Sequence, residues 1–139
     1  MDCDIVVNVQ GDEPLIDPST IAGVVSALRQ DPSLQMASSC VALTERADHT
    51  NPNVVKVVIN KKSEAMMFSR APIPYARDIF NGVAASLPDE MAYLRHIGLY
   101  AYRVGFLYQY STLHSTPLES VEALEQLRVL WYGYAISVG

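Results

Sequence analysis

Two acidic residues follow the first apolar run of this sequence, where Gln10-Gly11-Asp12-Glu13-Pro14 comes directly after Ile5-Val6-Val7-Asn8-Val9. A loop at the carboxyl end of a strand is where open α/β sheets place their ligand crevice. Asp12 in that position suits a hard divalent cation, since Mg²⁺ typically takes one or two carboxylates together with phosphate oxygens and water. Gly11 lets the backbone approach a ligand closely, and Gln10 can both donate and accept hydrogen bonds. The same string equally suits a solvated turn that Asp12 and Glu13 merely shape before Pro14.

Three further stretches carry reactive or recognition chemistry. Ser69-Arg70 and Arg77-Asp78 bracket a proline-rich segment, and arginine grips a planar carboxylate or phosphate through two parallel hydrogen bonds. The alternative is a surface pair with an acid such as Asp78 or Asp89, which is common and weak. Between Arg95 and Arg103, period-two alternation puts His96, Gly98, Tyr100 and Tyr102 on one strand face. That face suits either a sugar-binding wall or a satisfied core histidine with tyrosines at a sheet edge. After Pro117, Val121, Leu124, Leu127 and Trp131 form an apolar stripe opposite Glu119, Glu122, Glu125 and Gln126. Such a polar face is ordinarily solvated, and Glu125 with Arg128 three residues on suggests a local ion pair.

The elements that must position these residues follow from the pattern. The β-branched run at residues 5–9 predicts a strand covered on both faces in a parallel sheet. Asp17-Pro18 caps and starts a helix whose Ile21, Val24, Val25 and Leu28 have helical spacing, and residues 36–43 return as a strand. Strand, helix and strand make a crossover unit and point to an α/β fold with a mostly parallel, Rossmann-like sheet. Residues 54–59 and 65–68 flank the polar tip Asn60-Lys61-Lys62-Ser63-Glu64, which predicts a β-hairpin. Residues 72–90, punctuated by Pro72, Pro74 and Pro88, are expected to form a functional loop or flap. A strand through residues 97–102, a helix from Thr116-Pro117 to about Trp131, and a strand starting at Ala135 complete the order.

Composition narrows the function classes. The chain has 139 residues, half of them hydrophobic and 18% charged, so residues 1–139 are expected to form one domain with one core. Ten Lys and Arg against 15 Asp and Glu leave a net charge of -5. No basic field is available for a nucleic-acid backbone, so no nucleic-acid partner is expected. No apolar stretch approaches the ~20 residues of a membrane span, and no export signal opens the sequence. Cys3 and Cys40 lack metal-ligand spacing and fit reduced thiols in a cytoplasmic protein. The sequence begins inside an apparent central strand and stops at Gly139 as another starts, which suggests a segment of a larger enzyme, a single partial domain.

Several strings together match one family. Val7-Asn8-Val9-Gln10-Gly11-Asp12-Glu13-Pro14, Asn51-Pro52-Asn53-Val54-Val55-Lys56-Val57-Val58, Phe68-Ser69-Arg70, Arg95-His96-Ile97-Gly98-Leu99-Tyr100 and Glu125-Gln126-Leu127-Arg128 resemble the 3-deoxy-manno-octulosonate (Kdo) cytidylyltransferases. The first string is shared in part with other sugar nucleotidyltransferases. The His-Gly-Tyr strand and the Glu-Gln-Leu-Arg helix are particular to the Kdo enzymes.

The resemblance implies a nucleotide-diphospho-sugar transferase fold. It also implies transfer of CMP from CTP to Kdo, with release of pyrophosphate, in lipopolysaccharide biosynthesis. By motif position it makes Asp12 a catalytic Mg²⁺ ligand and Gln10 a sugar contact. Arg77 matches the grip on the Kdo carboxylate, although Tyr75-Ala76 stands where the family often has Trp-Asp. His96, Tyr100, Glu125 and Gln126 match further sugar-pocket positions. The family's CTP-binding strand and basic loop, and its second metal-binding Asp, are expected outside residues 1–139. A cytoplasmic homodimer is the family's usual state. A cytidylyltransferase for another acidic sugar, or a non-catalytic sugar-binding or dimer-forming remnant, are the competing expectations.

Overall fold

A computed structural model describes residues 4–11, 15–80 and 93–139. One six-stranded sheet organises them, in the order β4-β3-β5-β2-β6 with β1 also paired to β5. The strands are β1 (Ile5–Val9), β2 (Met36–Ala42), β3 (Lys56–Ile59), β4 (Ala65–Ser69), β5 (Leu94–Arg103) and β6 (Ile136–Val138). The predicted hairpin is β3 and β4, joined antiparallel with Lys56 opposite Ser69.

The α/β class holds, but the expectation of a mostly parallel sheet does not. Among the described residues only β2 and β6 pair in parallel. β5 runs antiparallel to β1, β2 and β3. The crossover from β1 through α1 (Pro18–Gln30) to β2 is present, yet β5 inserts between its two parallel strands and takes the hydrogen bonds of both. Nothing in local periodicity distinguishes a central antiparallel strand from a parallel one.

Two cores lie on opposite faces of the sheet. On one, Val24 and Leu28 of α1 pack against Ala37, Ile97, Leu99 and Ala101, with Ile5 and Val7 at the margin. Asp17 caps α1 by accepting from the Ser19 N–H at 2.9 Å, with Pro18 in the first turn. β1 is covered on this face alone among the described residues, since Val6 and Asn8 of its other face are exposed, contrary to the expectation of cover on both. The other face carries Met36 and Tyr100 against Phe106, Leu124, Leu127 and Val129. Phe106 belongs to α4 (Val104–Tyr110), a helix the sequence pattern did not announce. Two short helices, α2 (Arg46–Thr50) and α3 (Arg77–Phe80), lie in the connections.

The predicted helix from Thr116 to Trp131 is two helices, α5 (Pro117–Glu122) and α6 (Leu127–Trp131). Ala123 adopts a left-handed conformation, φ 55°, which ends α5 and turns residues 124–126 away from the helix axis. The proposed apolar stripe is broken with it: Leu124 and Leu127 are buried, whereas Val121 is 86% exposed and Trp131 54%.

Candidate functional site

β1 and β3 share one edge of β5 end to end, and the site lies in the gap between them. β1 leaves the ladder at Val9 opposite Leu99, and β3 enters it at Lys56 opposite Arg95. In between, the Gln10 N–H donates to the Gly98 carbonyl at 2.9 Å and the His96 N–H to the Val55 carbonyl at 2.8 Å. A cleft of about 320 Å³ opens over this fork, within the range of small-molecule sites.

Five of the seven predicted site residues meet there. Gln10, His96 and Tyr100 form the floor, and Glu125 and Gln126 close the wall opposite. Arg77 stands apart on α3, with a highly exposed side chain and its Nε 3.1 Å from the Asp78 carboxylate. Asp12 lies outside the described residues, and so does Asp89.

The wall from α5 and α6 exists because the helix breaks. Glu119 and Thr116 form a reciprocal capping box, with the Thr116 N–H donating to Glu119 Oε1 at 2.8 Å. Arg128 then donates to both Glu119 oxygens, at 2.7 and 2.8 Å. The suggested Glu125–Arg128 pair is thereby corrected: Arg128 reaches back across the turn to the buried carboxylate, and Glu125 is exposed at the cleft. The guanidinium beside Glu119 holds that carboxyl below its usual range.

Arg70 fastens the two loops that frame the opening. Its Nε donates to the Glu122 carbonyl at 2.8 Å, Nη1 to the Pro52 carbonyl at 3.0 Å, and Nη2 to the Ala123 carbonyl at 3.2 Å. The Glu122 carboxylate in turn accepts from the Arg70 N–H and the Ser69 hydroxyl. In place of a surface pair, it ties the 51–54 turn to the end of α5, and its guanidinium also lines the cleft. Fully buried Lys56 supports the same turn, donating to the carbonyls of Asn51, at 2.7 Å, and Val54.

The cleft presents mostly neutral groups. Burial, reinforced by Arg95, lowers the His96 pKa to about 4, so the ring is uncharged at neutral pH. Burial raises the Tyr102 and Tyr110 phenols, both of which line the cleft. Asn8, Gln10, Asn53 and Gln126 add side-chain amides. Amides, phenols and a neutral imidazole both donate and accept, as recognition of a polyhydroxylated ligand requires.

Asn8, Asn53 and Tyr110 escaped the sequence reading as site residues. Asn8 carries a signal, as the lone polar residue of an apolar strand; Asn53 reads as part of a turn, and Tyr110 sits on α4, which the pattern does not announce. Among the described residues no three of His, Cys, Asp or Glu gather as a metal centre would need. None of the described helices is long and apolar enough to cross a membrane. Cys40 is a half-buried free thiol.

A mixed α/β sheet with a polar cleft at the end of β1 fits the nucleotide-diphospho-sugar transferase type, and the chain belongs to the cytidylyltransferase family, whose model matches residues 1–136. Among curated proteins it is similar to the 3-deoxy-manno-octulosonate cytidylyltransferases of Neisseria gonorrhoeae (strain NCCP11945) and Herminiimonas arsenicoxydans. Each is 53% identical over 134 residues, which make up 96% of this chain and 53% of the relative. The chain thus spans about half the length of the curated relatives it matches. A solved structure of CMP:2-keto-3-deoxy-manno-octonic acid synthetase complexed with CTP superposes with a TM-score of 0.87 at 39% identity, covering 100% of this chain and 54% of that one.

Proposed function

We propose that this chain forms the acceptor-sugar part of a Kdo cytidylyltransferase, which transfers CMP from CTP to Kdo and releases pyrophosphate in lipopolysaccharide biosynthesis. The observation that carries the reading is the cleft, where Gln10, His96, Tyr100, Glu125 and Gln126 line one cavity whose amides, phenols and neutral ring stand beside the Glu125 carboxylate and the Arg70 guanidinium. Its donors and acceptors suit the hydroxyls of an eight-carbon sugar acid. Arg77 supplies the carboxylate partner, as its motif position implies, from the exposed segment after Pro74.

In the reaction the anomeric hydroxyl of Kdo attacks the α-phosphorus of CTP in line with the departing pyrophosphate. The cleft residues fix the sugar so that this hydroxyl faces the nucleotide, and such orientation is a large share of the catalysis available to phosphoryl transfer. Asp12, two residues beyond Gln10, would hold Mg²⁺. One carboxylate with phosphate oxygens and water is an adequate donor set for that ion. Bound there, the metal would neutralise developing phosphate charge. The protein acts as a cytoplasmic homodimer in this reading.

The test is saturation-transfer NMR on the purified full-length protein with Kdo, CTP and Mg²⁺, alongside an assay for CMP-Kdo. Expected are Kdo binding that N-acetylneuraminate does not compete away, and product formation that stops when EDTA removes the metal. Binding of N-acetylneuraminate in preference to Kdo would overturn the substrate, and turnover unaffected by EDTA would overturn the metal.

A further inference from the structure

The ladder between β2 and β5 skips two residues at the site. Ser38 faces Tyr100, but Ser39 faces Ile97, so Gly98 and Leu99 have no opposite number on β2. The displaced backbone is satisfied by side chains and by β1. The Ser38 hydroxyl, buried under the cleft floor, lies 2.7 Å from the Leu99 carbonyl and 3.4 Å from that of Ile97, while the Gly98 carbonyl takes the Gln10 N–H. The same hydroxyl oxygen lies 2.7 Å from His96 Nε2.

A serine hydroxyl carries one proton. The Leu99 carbonyl can only accept, so at 2.7 Å that proton must lie between the two oxygens; otherwise two sets of lone pairs would face each other in a buried site. Ser38 is then an acceptor toward His96, and Nε2 must bring its own hydrogen. A neutral imidazole with Nε2–H leaves Nδ1 unprotonated. The ring itself is held by the edge of Phe68, with centroids 4.9 Å apart, and by Tyr100 at 5.3 Å.

We infer that Ser38 is a positioning residue that locks His96 in the Nε2–H tautomer, making Nδ1 a hydrogen-bond acceptor that selects a ligand hydroxyl and rejects a carboxylate or phosphate oxygen. The strand irregularity is what sets this polarity. It turns the Leu99 carbonyl onto Ser38, Ser38 fixes the direction of its bond to His96, and His96 passes that direction to the cleft. The lowered basicity of the buried ring supports the same state, because an imidazolium would donate from both nitrogens. The identity of the hydroxyl as one of Kdo's rests on the proposed function above; the tautomer does not.

Long-range ¹H–¹⁵N correlation spectra of the full-length protein read the tautomer directly, with His96 assigned by its loss in His96→Gln. Expected at pH 7 is a protonated Nε2 and an unprotonated Nδ1. Ser38→Ala should replace this with a mixture of tautomers and raise the KM for Kdo about 3- to 10-fold, the loss of one neutral hydrogen bond, with the KM for CTP unchanged. Ser38→Thr, which keeps the hydroxyl, should restore both. Protonated Nδ1 in the unmodified protein overturns the inference, as does an unchanged tautomer in a folded Ser38→Ala protein. On adding Kdo, the Nδ1 resonance should move as for an acceptor while Nε2 stays. Kdo binding that leaves Nδ1 unmoved overturns the ligand half of the inference alone. Absence of Kdo binding with the tautomer intact overturns the acceptor-sugar reading instead, and with it the hydroxyl assignment.

Discussion

The Gln10 side chain occupies the space over Gly98, so that a Cβ built on Gly98 would stand 2.5 Å from Gln10 Oε1, 3.1 Å from Cδ and 3.2 Å from Cβ. The two residues are also joined through the backbone, Gln10 N–H to Gly98 carbonyl at 2.9 Å. Absence of a side chain at 98 is thus what lets β1 end with its glutamine lying across β5 and into the cleft.

Gly98→Ala should accordingly swing the Gln10 amide out of place without unfolding the sheet, because the flexible end of Gln10 is the first atom met. We expect a KM for Kdo raised about tenfold or less, the cost of one misplaced neutral hydrogen bond, with the CTP value and the thermal midpoint nearly unchanged. Equal effects on both substrates would mean that Gln10 orders the whole site and not the sugar alone.

Arg77→Ala addresses the one predicted site residue that, among the described residues, stands apart from the cleft. Its ion pair with Asp78 is exposed on both sides, so its removal should leave urea stability within about 0.5 kcal/mol. If Arg77 grips the sugar carboxylate, steady-state kinetics will show Kdo weakened far more than CTP. Equal weakening would place this arginine on the nucleotide.

Much of this site was legible because its elements carry local signals. Asp17-Pro18 marks the start of α1, the polar tip at 60–64 marks the hairpin, and alternation through β5 put His96, Tyr100 and Tyr102 on one face. The helix break was not legible, because the left-handed residue is Ala123 where glycine would have announced it. One signal was present and unused: Thr116-Pro117-Leu118-Glu119 is a capping-box pattern. That pattern commits Glu119 to the helix start and leaves Arg128 free of Glu125. Strand order was beyond local pattern altogether, since β5 pairs with strands far away in sequence on both sides.

Glu119 and Glu125 should therefore separate cleanly. Glu119→Ala removes a buried partner of Arg128 and the side-chain half of the α5 capping box that Glu119 supplies, and urea unfolding should show a loss of about 3–5 kcal/mol. Glu125→Ala, at an exposed position, should change stability little and affect Kdo kinetics instead. The Glu119 carboxyl is held low by Arg128, so its contribution is complete above the unfolded carboxylate range and is lost as pH falls through the folded value. The opposite ranking of the two variants would return Arg128 to Glu125.

His96 gives stability a second pH dependence. Unfolded, its ring takes up a proton below pH 6.5; folded, it stays neutral down to about 4. The unfolded state therefore binds the extra proton across that window, and folding stability falls as pH drops, by up to about 3 kcal/mol from this residue. Urea titrations from pH 7 to pH 4 should show a shallower fall in His96→Gln, with His49, also shifted down by burial, keeping part of the slope. An unchanged slope would mean that His96 titrates normally and that the cleft floor is wetter than its burial indicates.

Ala123 holds the turn that builds the far wall, and it does so against its own preference. A non-glycine residue at φ 55° costs on the order of 1 kcal/mol relative to its right-handed state. Ala123→Gly should relieve that cost, while the added freedom of the unfolded chain takes back part of it, for a net gain of up to about 1 kcal/mol in urea unfolding. Because the Ala123 carbonyl stays bonded to Arg70 Nη2, Glu125 and Gln126 should remain at the cleft and Kdo binding should be kept. A β-branched residue at the same place should do the reverse, lowering stability and weakening Kdo together. If Ala123→Gly instead stabilised the protein but abolished Kdo binding, the turn's rigidity, and not only its direction, would be what positions Glu125 and Gln126.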